Sequence, residues 1–319
     1  MKTGFIFSLP RSGSTYAQRV LSLAPGVSTT AEPWLLPALF GIRVGEAPVA
    51  AFAYDHVRAA LEELLAELPE GEAVWRRAIA GFAHEIYQAA AEPGAELFID
   101  KTPRNHVFAR EIMEAFPDSP CLFLWRNPLA VVASINSTWG GGRWKAYFYK
   151  YDLFDGLFAL IDAWQAARGR SNVMAMRYED LVAEPEIHWP RVFEHFGQQF
   201  DVSFLRNIPD IKGEMGDKTG VARYKDSSAA SLDSWPSSFG SPVRQWWAKR
   251  YLKKIGEERL AIMGYSQQVL IEKLHRGAGP VTLSDLFFMP AGHIYHFVEP
   301  ALWRPRFAKK NASVRVARR

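Results

Sequence analysis

One turn near the start of the chain carries Arg11, Ser12, Ser14 and Thr15, a guanidinium and three hydroxyls spaced to surround an anion. It lies in Phe5-Ile6-Phe7-Ser8-Leu9-Pro10-Arg11-Ser12-Gly13-Ser14-Thr15-Tyr16, where an apolar strand runs into a small-residue turn and then a helix. Backbone N–H groups around Ser12 to Thr15 would point at a phosphate from the helix N-terminus, and the side chains would add charge-assisted bonds. A nucleotide P-loop ends in Gly-Lys-Ser/Thr, with the lysine on the terminal phosphates and the hydroxyl on magnesium. Ser14 stands where that lysine would be. A second anion site is written into Leu122-Phe123-Leu124-Trp125-Arg126-Asn127-Pro128, followed by a helix that carries Ser134. The strand ends at Arg126, Asn127 can cap, Pro128 takes the first helical position, and Ser134 lies two turns in, on the same side as the helix start. Arginine with serine across such a junction suits a phosphate monoester.

Between these two motifs runs Leu97-Phe98-Ile99-Asp100-Lys101-Thr102-Pro103-Arg104-Asn105-His106. Thr102 is a candidate N-cap with Pro103 at the first helical position, which puts Lys101 at the mouth of a strand-to-helix junction, where open α/β sheets bind ligands. His106 would lie one turn into that helix, on its surface.

The elements that must position these groups are short apolar strands alternating with helical patterns, the signature of an α/β fold with a parallel sheet. Strands are expected at Gly4–Leu9, Leu97–Asp100, Cys121–Trp125 and Asn172–Met176. Helices are expected at Thr15–Leu23, Val49–Leu68, Val74–Ala91, Pro103–Phe116, Pro128–Thr138, Tyr151–Ala167, Trp189–Phe196 and Val243–Met263. The two helical stretches between Pro48 and Glu92 have no strand between them and read as an insert over one side of the sheet. Residues 207–242 are Ser- and Gly-rich with weak periodicity and read as a long loop of the kind that forms functional lids.

The chain has 319 residues, 48% of them hydrophobic, enough to bury a large core in a single domain. Its formal charge of +4 is local. Seven of the 38 basic residues fall between Arg304 and Arg319 with no acid among them, and the remaining 31 face 34 acidic residues. The body is therefore slightly acidic, which excludes a nucleic-acid partner as the reading of the charge, and the basic tail suits at most peripheral contact with an anionic surface. The single Cys121 cannot form an intrachain disulfide, and the apolar run after Lys2 is broken by Pro10 and Arg11, too short for a signal segment. With no stretch of eighteen uncharged apolar residues, a cytoplasmic enzyme without a transmembrane span is expected. His293 and His296 have no third ligand at metal-binding spacing, and no metal is implied.

Taken in order, the motifs resemble those of sulfotransferases that use 3′-phosphoadenosine-5′-phosphosulfate (PAPS). The Pro-Arg-Ser-Gly-Ser-Thr turn is similar to the family's 5′-phosphate loop, and Arg126-Asn127-Pro128 followed by Ser134 to its 3′-phosphate motif. Asp100-Lys101-Thr102-Pro103-Arg104-Asn105 resembles bacterial members, and Met176-Arg177-Tyr178-Glu179-Asp180-Leu181 resembles a further family string. The likeness runs from Gly4 to Tyr265, giving a sulfotransferase domain over residues 1–265, with the helical insert at about 48–92 and the lid loop at about 207–242, and an extension over 266–319.

The resemblance implies a single P-loop-like α/β domain, PAPS as co-substrate, 3′-phosphoadenosine-5′-phosphate (PAP) as product and a hydroxyl, or less often an amine, as acceptor. It implies cofactor contacts from Arg11, Ser12, Gly13, Ser14, Thr15 and Tyr16 at the 5′-phosphate. Arg126 and Ser134 fall at the 3′-phosphate, Tyr178 near the adenine, and one of Lys218, Arg223 and Lys225 in the lid. Lys101 matches a lysine that contacts the sulfuryl group, with Arg11 assisting. Where the aryl and steroid branch carries its histidine base, this chain has Pro103. Glu32, in Thr29-Thr30-Ala31-Glu32-Pro33-Trp34-Leu35-Leu36-Pro37, matches the glutamate base of the tyrosylprotein and carbohydrate branch, with His106 as its rival. The competing readings are a P-loop kinase and a non-catalytic nucleotide-binding scaffold. Trp139-Gly140-Gly141-Gly142-Arg143-Trp144 suggests an aromatic rim to an acceptor pocket.

Overall fold

The computed structural model describes residues 1–41, 54–140, 144–206 and 232–274, together with Ile208, Pro280, Val281 and Asp285. Lys218, Arg223, Lys225, the loop over 209–231, His293, His296 and the basic tail lie outside these residues. Among the described residues, β1 (Lys2–Phe7), β2 (Val27–Thr29), β3 (Leu97–Asp100), β4 (Cys121–Trp125) and β5 (Val173–Arg177) form a parallel sheet in the order β2-β3-β1-β4-β5. The sheet is buried on both faces, which explains why its strands read as continuous apolar runs. Phe5, Phe7, Phe98 and Phe123 point into one core, whereas Ile6, Leu97, Ile99, Leu122 and Leu124 point into the other.

Helices follow in chain order: α1 (Ser14–Leu21), α2 (Leu35–Phe40), α3 (Tyr54–Glu67), α4 (Gly71–Ala90), α5 (Ala109–Ala115), α6 (Pro128–Thr138), α7 (Leu157–Ala167), α8 (Tyr178–Ala183), α9 (Pro185–His195), α10 (Pro242–Ile255), α11 (Glu257–Ile262) and α12 (Gln267–Leu274). Insert helix α4 buries Ile79, Ala83 and Tyr87, a stripe at i, i+4 and i+8, against the core that holds Phe98.

Several expected boundaries shift for identifiable reasons. The segment after Lys101 is a 3₁₀ helix over Pro103–Phe108 before α5 begins, and Thr102 does not cap it: its hydroxyl donates to Asp100 instead. Tyr151–Gly156 winds as a π turn before α7. The single helix expected over Val243–Met263 breaks at Gly256, where φ is 86°. β2, α2, α8 and α12 went unforeseen because each is short and takes its order from tertiary contact. Trp144 belongs to the core, edge-on to Phe239 and Trp247, while Trp139 is exposed. After Tyr265 the described residues stay with the domain: α12 buries Leu270 and Leu274, and the fully buried Asp285 accepts from Arg244 Nε at 2.6 Å.

Candidate active site

Because the sheet is parallel, the turns after β3, β1 and β4, its three central neighbours, open on the same carboxyl edge. Open α/β sheets hold ligands at that edge, where the chain switches from one side of a central strand to the other. All the sequence-predicted site residues that are described come from these turns or from elements packed on them.

After β1 the backbone takes a left-handed step at Arg11 (φ 67°) and another at Gly13 (φ 87°). Gly13 is the residue before α1, which has no capping side chain and no acid in its first turn, so its leading N–H groups are open to an anion. A Cβ at Gly13 would run into the ring of Tyr178. Tyr178 thus props the loop from below, edge-on to Tyr16 at 6.1 Å.

Asn127 caps α6 as expected, its side chain accepting from Leu129 N. Arg126 turns back across the sheet edge: Nη1 donates to Arg11 O at 2.6 Å, and its guanidinium lies 4.7 Å from the Tyr178 ring centroid. Its Nε is buried with no hydrogen-bond partner among the described residues, a donor left for an anion. Arg11 reaches the other way, with Nε on Ser134 Oγ at 3.2 Å and Nη2 on Thr138 Oγ1 at 3.3 Å. The two anion junctions are therefore interlocked. Arg11 contributes backbone to the first and its side chain to the second, and Thr138, one turn beyond Ser134, joins a set that sequence reasoning left without it. Glu179 ties this half together, accepting from Asn127 N at 3.0 Å and from Tyr265 Oη at 2.6 Å. Burial and the Glu179 carboxylate hold the Tyr265 phenol well above its ordinary pKa, so it stays a donor.

The other half is built around Lys101. Its Nζ lies 2.9 Å from Glu32 Oε1, with side-chain exposures of only 2% and 12%. Charges this deeply buried persist only when paired. Glu32 reaches it from the β2–α2 turn, which Gln18 of α1 fixes by donating to Thr29 Oγ1 at 2.7 Å and Thr30 O at 2.8 Å. Behind Lys101, Asp100 is fully buried and accepts from Tyr87 Oη at 2.5 Å and Thr102 Oγ1 at 2.8 Å. Burial pushes the Asp100 carboxyl up, and burial together with Asp100 pushes the Tyr87 phenol up.

His106 is not the surface residue that the helical reading expected. It is buried, its Nδ1 hydrogen-bonded to Pro103 O and its Nε2 packed against Gly156 of the π turn. Desolvation lowers its pKa to about 4, so it is neutral at pH 7. Beside it Arg104 pairs with the buried Asp152, Nε to Oδ1 at 3.0 Å.

A parallel α/β sheet thus carries on one edge two interlocked junctions suited to anions and a buried lysine–glutamate pair. Residues 5–202 match the sulfotransferase family, and the chain belongs to that family. It is 33% identical over 293 residues to nodulation protein NoeE of Sinorhizobium fredii, covering 83% of this chain and 66% of NoeE. Over 192 residues it is 28% identical to a protein-tyrosine sulfotransferase of Drosophila melanogaster, covering 59% of this chain and 36% of the fly protein. The chain thus spans about two thirds of one curated relative and about one third of the other. A sulfotransferase from Alicyclobacillus acidocaldarius has the same fold, with a TM-score of 0.50 at 12% identity over 84% of this chain and 98% of that one. Among the described residues, no helix is long and apolar enough to cross a membrane, and no three His, Cys, Asp or Glu side chains gather as a metal site.

Proposed function

We propose that this protein transfers the sulfuryl group of PAPS to an acceptor hydroxyl, releasing PAP. The observation that carries the reading is the Lys101–Glu32 pair, buried on the β3–β2 side of two anion junctions that could each hold one end of a 3′,5′-bisphosphate. The donor fits the residues present: α1 offers uncapped N–H groups, and Arg126 Nε is a buried donor without a partner. When bound, PAPS supplies an activated S–O bond whose leaving group is a phosphate.

Gly13, Ser14, Thr15 and Tyr16 at the start of α1, with Ser12, would hold the 5′-phosphate. Arg126 and Ser134 would select the 3′-phosphate, with Arg11 bridging both, and Tyr178 would support the nucleotide from beneath. Glu32 takes the proton of the acceptor hydroxyl as the new O–S bond forms and the old S–O bond breaks. Lys101, released from Glu32 as that proton arrives, offsets charge on the transferred group and the leaving oxygen. His106 is a weaker candidate for base because it is buried, its pKa is lowered to about 4, and its Nδ1 is occupied by Pro103 O. The lid cation from Lys218, Arg223 or Lys225, a sulfotransferase domain over 1–265 with α12 packed onto it, and a cytoplasmic setting complete the reading.

The relative that acts on protein tyrosine and NoeE differ in kind, so the acceptor is proposed only as a hydroxyl. Labelled PAPS offered with a tyrosine peptide, a simple phenol and a glycoside tests the activity. Label in any one of them, dependent on Glu32, supports the reading. Magnesium-dependent phosphate transfer from ATP instead would favour the kinase, and tight PAP binding without any transfer the scaffold.

A further inference from the structure

We propose that Trp34 is a positioning residue for Glu32, its indole N–H holding the carboxylate in place when Lys101 leaves it for the transferred group. The proposal rests on the assignment of Glu32 as base. Glu32 has two oxygens and two partners: Oε1 meets Lys101 Nζ at 2.9 Å, and Oε2 accepts from Trp34 Nε1 at 3.3 Å. If Lys101 is to serve the donor, the first of these contacts must open during turnover. The indole contact is then what fixes the direction of the carboxylate.

Trp34 is held in a costly geometry that suits this task. Its backbone is left-handed (φ 54°, ψ 17°), and left-handed backbone in a bulky residue persists only where its surroundings enforce it. The enforcement is visible. Trp34 N donates to Thr102 Oγ1 at 3.3 Å, Thr102 donates to Asp100 Oδ1 at 2.8 Å, and Tyr87 fixes the other oxygen of Asp100 at 2.5 Å. Asp100, Thr102 and Tyr87 are buried, and Lys101 lies between the first two in sequence. One buried anchor therefore sets both members of the Lys101–Glu32 pair, Lys101 through the chain and Glu32 through Trp34. Trp34 itself is 37% exposed, so core packing does not account for its position.

The full chain is assayed with labelled PAPS on the acceptor of the panel above that takes most label. Trp34→Phe keeps the ring and deletes the N–H: kcat should fall roughly tenfold, with KM for the acceptor and PAP affinity within about twofold of wild type. Trp34→His, which tolerates left-handed backbone and keeps a ring N–H, should recover part of the loss. Thr102→Val should reproduce the kcat defect, and Thr102→Ser should restore it. Added to Glu32→Gln, Trp34→Phe should cost nothing further in turnover, and in urea unfolding of the unliganded protein it should cost less stability in the Glu32→Gln background than alone. Wild-type kcat in Trp34→Phe, or losses that multiply with Glu32→Gln, would overturn the proposal while leaving Glu32 as base. Full turnover in Glu32→Gln would overturn the base assignment, and this inference with it.

Discussion

On the β1–β4 side of the site, the groups proposed to meet an anion are set by close neighbours in sequence: Gly13 precedes α1, Asn127 caps α6, and Ser134 follows two turns later. On the β3–β2 side, Lys101 and Glu32 are 69 residues apart and meet because a three-residue strand, β2, lies beside β3 and Gln18 pins the turn beyond it. The first half is made largely of backbone N–H groups and hydroxyls with two arginines. The second is a buried ion pair on a buried carboxylate. Local construction suits recognition, since helix starts and caps recur and hold phosphate without distortion. Chemistry needs opposite charges brought out of water, which only long-range packing achieves.

The largest effect should come from the second half. Glu32→Gln keeps size and a hydrogen-bonding oxygen, and should cut turnover by ~10²–10⁴, the usual span for loss of a general base. Lys101→Ala should cost a comparable factor through lost charge stabilisation. PAP binding, followed by calorimetry, should change little in either. If these variants instead lose PAP affinity while kcat per folded molecule holds, the division between a binding half and a chemical half collapses. His106→Asn is the matched control: if it abolishes turnover while Glu32→Gln retains most of it, the base is the histidine.

The first half should answer in affinity. Gly13→Ala forces a side chain into left-handed backbone, at about 1–2 kcal/mol, besides meeting the Tyr178 ring. PAP binding should weaken roughly tenfold or more. Arg126→Ala should cost the bisphosphate about 2 kcal/mol through a lost charge-assisted bond, and should cost adenosine 5′-phosphosulfate less. That nucleotide has no 3′-phosphate, but Arg126 also clamps Arg11 O, so its binding should not be wholly spared. Equal losses would mean that Arg126 acts only as a clamp on the loop and does not read the 3′-phosphate.

The same division governs what the sequence made legible. The strand-turn-helix at Arg11–Thr15, the β4–α6 junction and the run Leu97–Asp100 could be read because propensity, capping and apolar pattern agree over a few residues. The roles of Glu32 and Lys101 came each from resemblance to the sulfotransferase family, and their contact was not foreseen. The geometry that joins them, through β2, Gln18 and Trp34, leaves no periodic trace. Thr138 was hidden because its role depends on where the Arg11 side chain turns, and Glu179 because a carboxylate in the first turn of α8 looks like any first-turn acid. His106 was misjudged because a 3₁₀ turn, followed by packing against the π turn, rotates it inward. An i, i+4 pattern assumes neither.

His106 gives the smallest prediction, and it probes whether the chemical half tolerates protons. Its pKa is lowered from 6.5 to about 4 by desolvation, with Arg104 acting in the same direction and the Pro103 carbonyl opposing them. The unfolded chain therefore binds a proton near pH 6.5 that the folded chain refuses. Stability from this group is complete above that value and is lost as pH falls toward 4, by about 1 kcal/mol per pH unit between pH 6 and pH 5. Asp100 and Asp152 have raised pKa values and act in the opposite sense, so the wild-type curve alone mixes the two. The difference between wild type and His106→Asn isolates the histidine. Urea unfolding at pH 7, 6 and 5 should show the variant destabilised by a constant packing loss at the top of this range, with the gap closing by about 1 kcal/mol from pH 6 to pH 5. A gap that stays constant would mean that His106 already carries its proton in the fold. It would then be a cation beside Arg104, already protonated and so unable to take the proton of the acceptor.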